Sequence, residues 1–436
     1  MKKILFFFNE LKATFWLIPV LIIIISILLA IGLVFVDQII TFSQDGLGRF
    51  LFVNSADSAR SILSTISGAM IGVAGTVFSV TLVALTLASS QFGPRLIKNF
   101  MYVRLNQVVL GSYISTYLYC LIVLNAIKES DGYIFVPALS ILVAIIAACA
   151  NIILLIVFIH QIAISIQADK VISEISEVIS KQIKTLFPKK MGDELDDERT
   201  ATVDNIKSKY INIVAVKSPK SGYLQYIDGE SLLRAVCSFD GLIELHFRPG
   251  DHLVEDIEIG KLYTNDNLDK EQLESISRQF VIGETKIAQQ DLEFSIQQMV
   301  EIAARALSPG INDPYTAIAC IDNLTATMCH LSQVSFPSKY RVDDEKNLRI
   351  IADPLDFEGV LNVSFNQIRQ FSAGSTAVII RLMDALITIN GFVKKESYKK
   401  TVIKHAKMVL NVGKRSIKEE SDLKDLLERS KRIVSE

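Results

Sequence analysis

A series of small and hydroxylated residues inside a long apolar run is the first pattern in this sequence that could do chemistry. Its members recur at steps of three and four, the spacing of one helix face, and are Ser64, Gly68, Gly72, Thr76 and Ser79. Gly68 and Gly72 form the GxxxG pattern that lets membrane helices approach closely. The same face could line a water-filled path for small ions, with Arg95 near its inner mouth. The spacing fits both interpretations, so these six residues are candidates for lining a pore.

The second pattern is the segment Ala306-Leu-Ser-Pro-Gly-Ile-Asn-Asp-Pro-Tyr315. Pro309 and Gly310 end one helix, Asp313 caps the next, and Pro314 occupies its first turn. A helix N-terminus among polar side chains can also bind an ion or a polar ligand. The residues of this candidate ligand or assembly turn are Ser308, Asn312, Asp313 and Thr316. The structural interpretation is favoured, because each residue has a use in a tight turn between helices.

Enzymatic motifs are absent from the sequence. There is no phosphate-binding loop, no GxSxG nucleophile elbow and no HExxH, and His246, His252, His330 and His405 lack metal-ligand spacing. We therefore expect no catalytic residue, no metal site and no cofactor. An enzyme acting on lipid is the least favoured class, since the residues near the membrane surface form no acid–base or nucleophile set.

Composition places the chain among membrane proteins. Half of its 436 residues are hydrophobic, and this excess lies before about residue 166. The formal net charge of -2 gives no basic surface and argues against nucleic acid as a partner. The five cysteines contain no CxxC pair, which indicates a reducing compartment.

Four stretches are long enough to cross a bilayer, whose hydrocarbon core of roughly 30 Å needs about 20 apolar residues in a helix. The predicted spans are Phe15 to Val36, Leu63 to Ala88, Val108 to Ile127 and Val136 to Ile162. None contains Asp, Glu, Lys or Arg, which disfavours proton-coupled transport. Tyr113, Tyr117 and Tyr119 of the third span are expected to pack on the small face of the second, with their hydroxyls bonded inside the bundle.

Positive charge in the short joints predicts the orientation. Lys2, Lys3 and Lys12 precede the first span, and Arg95, Lys98 and Arg104 lie between the second and third. Both termini are therefore expected in the cytoplasm of a bacterium. The protein would be a multi-pass inner-membrane protein whose large C-terminal domain is cytoplasmic.

The predicted fold is an α-helical membrane bundle joined to a cytoplasmic α+β domain. Its expected parts are a four-helix transmembrane domain (1–166), a connecting helix and charged loop (167–209), a small β subdomain (210–265) and a helical domain (266–436). The connecting helix is expected to continue the fourth span, and Ser335 to Ile351 to be a polar loop. The turns at Ser221 to Asp228 and Pro249 to Asp251 resemble barrel-sandwich modules of the biotinyl and lipoyl type. No lysine occupies the carrier turn, so a structural module is expected.

Five strings make the chain similar to a known family over nearly its full length. They are Ser79 to Leu85, Ala88 to Arg95, Ser221 to Gln225, Gln290 to Phe294 and Ala306 to Pro314. The chain resembles the bacterial predicted membrane proteins grouped as domain of unknown function 2254. The resemblance implies the architecture and a membrane location, and it brings no assigned activity or catalytic residue.

Two functional hypotheses follow. The first is a homo-oligomeric passive ion channel, in which the second span lines the path and the cytoplasmic domain serves assembly or gating. The alternative is a membrane-anchored scaffold or signalling protein whose cytoplasmic domain binds a partner or small ligand. The expected partners are the lipid bilayer, further copies of the chain and small ions.

Overall fold

The structure, a computed structural model, describes residue 14 and residues 16–39, 55–93, 104–130, 133–165, 167–186, 200–353 and 355–434. The chain divides into two units, Met1–Lys170 and Val171–Glu436. Each unit has its own clusters of buried hydrophobic side chains.

Four long helices form the first unit, together with a short antiparallel hairpin of β1 (Lys128–Ser130) and β2 (Tyr133–Phe135). The helices are α1 (Leu17–Ile39), α2 (Ala56–Phe92), α3 (Arg104–Ala126) and α4 (Ala138–Ser165). All four are long and apolar enough to cross a membrane, which confirms the number of predicted spans. The second helix is longer than predicted because Ser55, whose side chain accepts a hydrogen bond from the Ser58 amide, caps it well before the apolar run.

Helix α3 is the most buried of these four helices. Its Gly111 meets the first turn of α1, where a Cβ added to the glycine would lie 2.9 Å from the Cα of Pro19. The two backbones therefore touch, and any larger residue at position 111 would push them apart. Because α3 is enclosed by its neighbours, its polar side chains can be buried without facing lipid.

Asn151 of α4 is the centre of a hydrogen-bond network at the core of this unit, and its side chain is 0% exposed. Its Oδ1 accepts a bond of 2.6 Å from the Ser112 hydroxyl, and its Nδ2 donates to Thr116 Oγ1 at 2.9 Å. Its backbone oxygen accepts a 2.6 Å bond from the Tyr113 hydroxyl. The same Nδ2 lies 3.4 Å from Met70 Sδ, so α2, α3 and α4 meet at one residue.

A carboxylate joins the end of α1 to the start of α4. Asp37 accepts bonds from the amides of Leu139 and Ser140, each at 3.0 Å, and from the Ser140 hydroxyl at 2.7 Å. Negative charge is favourable at a helix N-terminus, where backbone amides have no partner within the helix. The Ser140 carbonyl in turn accepts from the Tyr119 hydroxyl at 2.9 Å. The helix ends are therefore tied by polar contacts as well as by packing.

The second unit begins with two helices. Helix α5 (Ala168–Leu186) buries one apolar face, and α6 (Thr200–Lys207) follows. The connecting helix is present nearly as predicted, and Gln167, which is not helical, lies between it and α4. Gln182 donates to the Ala288 carbonyl and so fixes α5 to the segment that precedes a later helix.

Two open sheets make up the β part of this unit. The five-stranded sheet has the order β3-β7-β5-β10-β9, with β5 and β10 parallel and the other pairs antiparallel, and the three-stranded antiparallel sheet has the order β6-β4-β8. The strands are β3 (Asn212–Lys217), β4 (Gly222–Ile227), β5 (Leu242–Leu245), β6 (His252–Leu253), β7 (Glu258–Thr264), β8 (Phe280–Gly283), β9 (Tyr340–Val342) and β10 (Leu348–Ile351). Helices α7 (Gly229–Ser238) and α8 (Lys270–Ser277) share one hydrophobic core with both sheets.

The prediction of a barrel-sandwich module is wrong, since the sheets of the described residues form no closed barrel. The predicted loop from Ser335 to Ile351 is also wrong, because it contains β9 and β10. The cause is Arg349, which interrupts the apolar run of β10 and is nevertheless buried. Its guanidinium bonds to Asp343 and Asp240, each at 2.7 Å, which compensates the charge within the core.

Six helices complete the unit. They are α9 (Leu292–Ala306), α10 (Pro314–Leu331), α11 (Phe357–Phe371), α12 (Thr376–Phe392), α13 (Glu396–Ser416) and α14 (Glu420–Val434). Apolar residues at helical spacing predict helices here from Asp291 to Leu307, Pro314 to Leu331, Asp356 to Phe371, Thr376 to Ile389, Lys395 to Val412 and from about Ser421. Arg381 of α12 pairs with Asp322 of α10, and Arg429 of α14 bonds both carboxylate oxygens of Asp384 at 2.7 Å. These ion pairs connect helices that are distant in sequence.

A histidine is buried between α11 and α13. His405 is 1% exposed, and its Nε2 lies 3.0 Å from Asn362 Oδ1. Its Nδ1 is buried and has no hydrogen-bond partner among the described residues. Burial lowers the pKa of His405 to about 4, and the nearby charges of Arg369 and Lys404 add to this effect. The imidazole is therefore neutral at neutral pH.

Replacing Asn151 with leucine is expected to destabilise the first unit by about 1–3 kcal/mol, because the half-buried Ser112 hydroxyl and the buried Thr116 hydroxyl lose their partner. Denaturant titration of the detergent-solubilised full chain measures the change. The matched control is Asn125→Leu on the exposed side of α3, which should change the unfolding free energy by less than about 0.5 kcal/mol. Equal effects of the two variants would contradict the role given to Asn151.

Acidification is expected to destabilise the second unit through His405. Its folded-state pKa is about 4, whereas an unperturbed histidine has a pKa of about 6.5. The unfolded chain binds the proton first, so stability present above about pH 6.5 is lost towards pH 4, by up to roughly 3 kcal/mol. His405→Gln should remove this loss in thermal unfolding followed by circular dichroism.

The quantity to follow is the difference between His405→Gln and wild type. Burial raises the pKa of Asp291 to about 6, so this carboxyl changes stability in the opposite direction over the same pH range. The matched control, His330→Gln, replaces an exposed histidine of the same unit. A difference for His405→Gln that is independent of pH would contradict the prediction.

Candidate functional site

The five described pore-lining candidates lie together on the outer side of α2. Ser64, Gly68, Gly72, Thr76 and Ser79 are all exposed. A Cβ added to Gly68 or Gly72 would have no neighbour within 4 Å. The opposite side of α2, including Leu63, Met70 and Val77, packs into the bundle. The spacing therefore predicts a real helix face, and this face packs on no other described part of the chain.

The hydroxyls on this face bond to their own helix. Thr76 donates to the Gly72 carbonyl at 3.2 Å and Ser79 to the Gly75 carbonyl at 2.9 Å. Such bonds satisfy a hydroxyl without a second helix or water. The hydroxyl oxygens of this shallow face can still accept hydrogen bonds. The hydroxyl groups themselves need no polar partner outside their own helix.

The exposed surfaces of the neighbouring helices are different in composition. In α1 they carry large aliphatic side chains such as Leu28 and Ile31, and in α4 side chains such as Ile153 and Ile156. These surfaces suit contact with lipid chains. The outer face of α2 carries glycines and hydroxyls, with the exposed large side chains of Ile71, Phe78 and Val83 beside them.

Arg95, the sixth pore-lining candidate, lies outside the described residues.

Two predictions about the tyrosines of α3 have different outcomes. The tyrosines of α3 do not pack on the small face of α2, because that face is exposed. Their hydroxyls do find partners inside the bundle, as predicted, with Tyr113 bonded to Asn151 and Tyr119 to Ser140.

A cleft of about 250 Å³ lies between α1, α3 and α4. It is lined by Ile22, Ile25, Ser26, Leu29, Ser112, Ser115, Thr116, Tyr119, Val143 and Ala147. The sequence does not predict it, although Ser112, Ser115, Thr116 and Tyr119 recur at helical spacing in the least hydropathic of the four helices.

The turn between α9 and α10 adopts the geometry that the sequence predicts. Asn312 has a φ of 50° and donates its amide to the Ser308 carbonyl at 2.9 Å. Asp313 caps α10, accepting from the Thr316 amide at 3.1 Å and hydroxyl at 2.5 Å. The bond from Thr316 lowers the pKa of the Asp313 carboxyl. The Ser308 hydroxyl bonds to the Arg305 carbonyl, so these polar groups are engaged within the turn.

Two apolar side chains project from this turn. Ile311 is 43% exposed and Tyr315 is 80% exposed. The backbone that carries them is fixed by the Asp313 cap and by the bond from the Asp313 amide to the Ala306 carbonyl at 2.8 Å. A rigid exposed aromatic is a common feature of surfaces that bind proteins.

The other strings singled out in the sequence have structural roles. Gln290 bonds both the amide and the carbonyl of Ile227, as a neighbouring strand would. Asp291 caps α9 through the Phe294 amide at 2.8 Å. Its side chain packs against Gly250, where φ is 102° and an added Cβ would overlap the carboxylate. These contacts join the three-stranded sheet and the β5–β6 turn to the first helix of the C-terminal bundle.

Metal-binding chemistry has no support in the part of the chain that the structure describes. No group of three or more His, Cys, Asp or Glu side chains there could hold a metal ion. Cys320 is buried, and burial raises the pKa of its thiol, which makes it a packing residue.

Comparisons with known proteins agree with the membrane architecture. Two curated relatives are the uncharacterised proteins Mb1321c of Mycobacterium bovis and Rv1290c of Mycobacterium tuberculosis. Each is 29% identical to this chain over 381 residues, which is 86% of this chain and 72% of the relative. No solved structure matches the chain. Residues 12–388 match the family described as predicted membrane protein DUF2254, and the chain belongs to that family.

Proposed function

We propose that this protein is a homo-oligomeric passive ion channel in which copies of α2 surround the conducting path. The observation that carries the proposal is the outer face of α2, defined by Ser64, Gly68, Gly72, Thr76 and Ser79, which is exposed and packs on no other described helix. The proposal places the protein in the bacterial inner membrane. The second unit lies in the cytoplasm and serves assembly or gating.

The chemistry of the face supports a contact between copies and a path along it. Small residues allow helices to approach closely in lipid, where no hydrophobic force drives association. Glycines would give a lipid-facing surface no advantage, because lipid chains pack equally well against leucine or isoleucine. In a ring of α2 helices, this face would contact neighbouring copies and line the path. In the single chain it packs on no other described helix.

Weak polarity suits passive conduction. Conduction needs sites that an ion can enter and also leave. The Thr76 and Ser79 hydroxyls already donate to their own helix, which leaves their oxygens as modest acceptors for a cation. The sequence from Ser61 to Gly93 holds no charged residue, so no fixed charge would trap the ion.

The channel hypothesis predicts that Gly72→Trp blocks ion flux while oligomers still form. The indole would occupy the open space beside Gly72 and narrow the path, and flux through sealed liposomes should fall by roughly tenfold or more. The matched control is Ile153→Trp on the exposed surface of α4, which should leave flux unchanged.

Cross-linking in the same liposomes separates conduction from assembly. Wild type, Gly72→Trp and Ile153→Trp should give the same oligomer bands. Ser64→Cys or Ser79→Cys should form a disulfide between neighbouring copies under oxidising conditions. Absence of flux from wild type under varied voltage, tension and pH would contradict the channel, and unaltered flux in Gly72→Trp would remove α2 from the path.

A scaffold or signalling role is the second candidate, and the exposed turn between α9 and α10 favours it. In this case the turn with Ile311 and Tyr315 would bind a partner, and the helices of the first unit would only anchor the protein. Tyrosine in a rigid setting gives a large contact area at low entropic cost. Asn312, which follows Ile311, has the positive φ of this turn.

The scaffold hypothesis predicts a stoichiometric partner in pull-down from membranes. Replacing both Ile311 and Tyr315 with serine should reduce its capture by roughly tenfold or more, because aromatic anchors dominate such contacts. Phe392→Ser, which also removes an exposed aromatic, is the control and should retain the partner. Recovery of only further copies of the chain would contradict this role.

A further inference from the structure

We propose that the cleft between α1, α3 and α4 binds the acyl chain of a bilayer phospholipid. The cleft is lined by the middle turns of α1 and α3 and by the second and third turns of α4, and each of these helices is long enough to cross a membrane. It is separate from the outer face of α2, since no α2 residue lines it. The site would therefore exist whether or not the protein conducts ions.

The contact between α1 and α3 at Gly111 comes just before the lining residues of both helices. At Gly111 the two backbones touch, with Pro19 Cα only 2.9 Å from the position of an added Cβ. The lining residues of α1, from Ile22 to Leu29, follow this contact along the helix. On α3 they extend from Ser112 to Tyr119. Beyond the glycine, the Ser26 hydroxyl donates to the Ser115 carbonyl, so α1 and α3 stay in contact beside the cleft.

The polar groups of the lining are already used. Ser26 donates to the Ser115 carbonyl at 3.1 Å and Ser112 donates to Asn151 Oδ1 at 2.6 Å. Ser115 and Tyr119 donate to backbone carbonyls, and Thr116 accepts from Asn151. A strongly polar ligand would have to break these bonds, at the cost of buried unpaired groups. Hydrocarbon needs none of them.

The mouth of the cleft is continuous with the surface that suits lipid. Ile25 and Leu29 line the cleft and are also among the exposed large side chains of α1. The same exposed surface continues through Leu21, Ile24 and Leu28. At this position along a membrane-spanning helix the surrounding medium is lipid chains. A chain end can therefore enter sideways without crossing a polar barrier.

Photo-labelling tests the site in the full chain. The protein is reconstituted in vesicles of phosphatidylethanolamine and phosphatidylglycerol with a phosphatidylcholine that carries a diazirine in the middle of one acyl chain. We expect Ser26, Leu29 and Val143 to be labelled roughly tenfold more than Ile153 or Ile156, because the cleft contacts the probe from three helices, whereas Ile153 and Ile156 contact lipid from one helix. Equal labelling of both groups would overturn the proposal.

A pair of alanines on α4 supplies the matched variants. Ala147 lines the cleft, whereas Ala150 is exposed. Ala147→Phe should reduce labelling of Ser26 and Leu29 by roughly tenfold, since the ring fills the space, and Ala150→Phe should leave it unchanged. Unchanged labelling in folded Ala147→Phe would overturn the site. Should that variant fail to fold, Val143→Phe tests the same space, and the wild-type labelling pattern decides independently.

Discussion

Lipid offers no hydrogen bonds, so every polar group inside a membrane bundle must find its partner in the protein. That constraint explains the arrangement of the first unit. Helix α3 carries the polar residues and is enclosed, and Asn151 of α4 gathers Ser112, Tyr113 and Thr116 into one network. Helices α1 and α4 then keep large aliphatic surfaces outside. The outer face of α2 differs because its hydroxyls are satisfied within their own helix.

The same constraint separates two regions with different chemistry. The polar groups around Asn151 are hydrogen-bonded and lie beside a cleft whose remaining surface is hydrocarbon. The outer face of α2 is shallow, with glycines open to any neighbour. The first suits the chain of a lipid, and the second suits close approach of another helix. In the second unit, polar groups are also used locally: Asp313 and Asp291 cap helices, and Arg349 pairs with two carboxylates inside the core.

Sequence periodicity predicts the helices accurately because their burial repeats at the helical period. The predicted bounds of α10 agree with the structure at both ends, Pro314 and Leu331. Short strands are harder, since β10 has four residues and one is a buried arginine that pairs with nearby Asp343 and with Asp240, which is distant in sequence. The helix face of α2 is predictable from spacing. Its exposure is not, because exposure depends on which side of α2 the other helices pack against. The cleft depends on how α1, α3 and α4 pack together, which spacing alone does not reveal.

The length of α2 has a consequence for the surrounding bilayer. Its 37 residues span about 55 Å, against a hydrocarbon thickness of roughly 30 Å. Even at a tilt of about 40°, its projection on the membrane normal would be about 42 Å. One end of α2 must therefore reach into the head-group layer. Because the residues from Ser61 to Gly93 are uncharged, α2 can shift along the membrane normal or tilt. Hydrophobic mismatch would make the inclination of this helix respond to bilayer thickness.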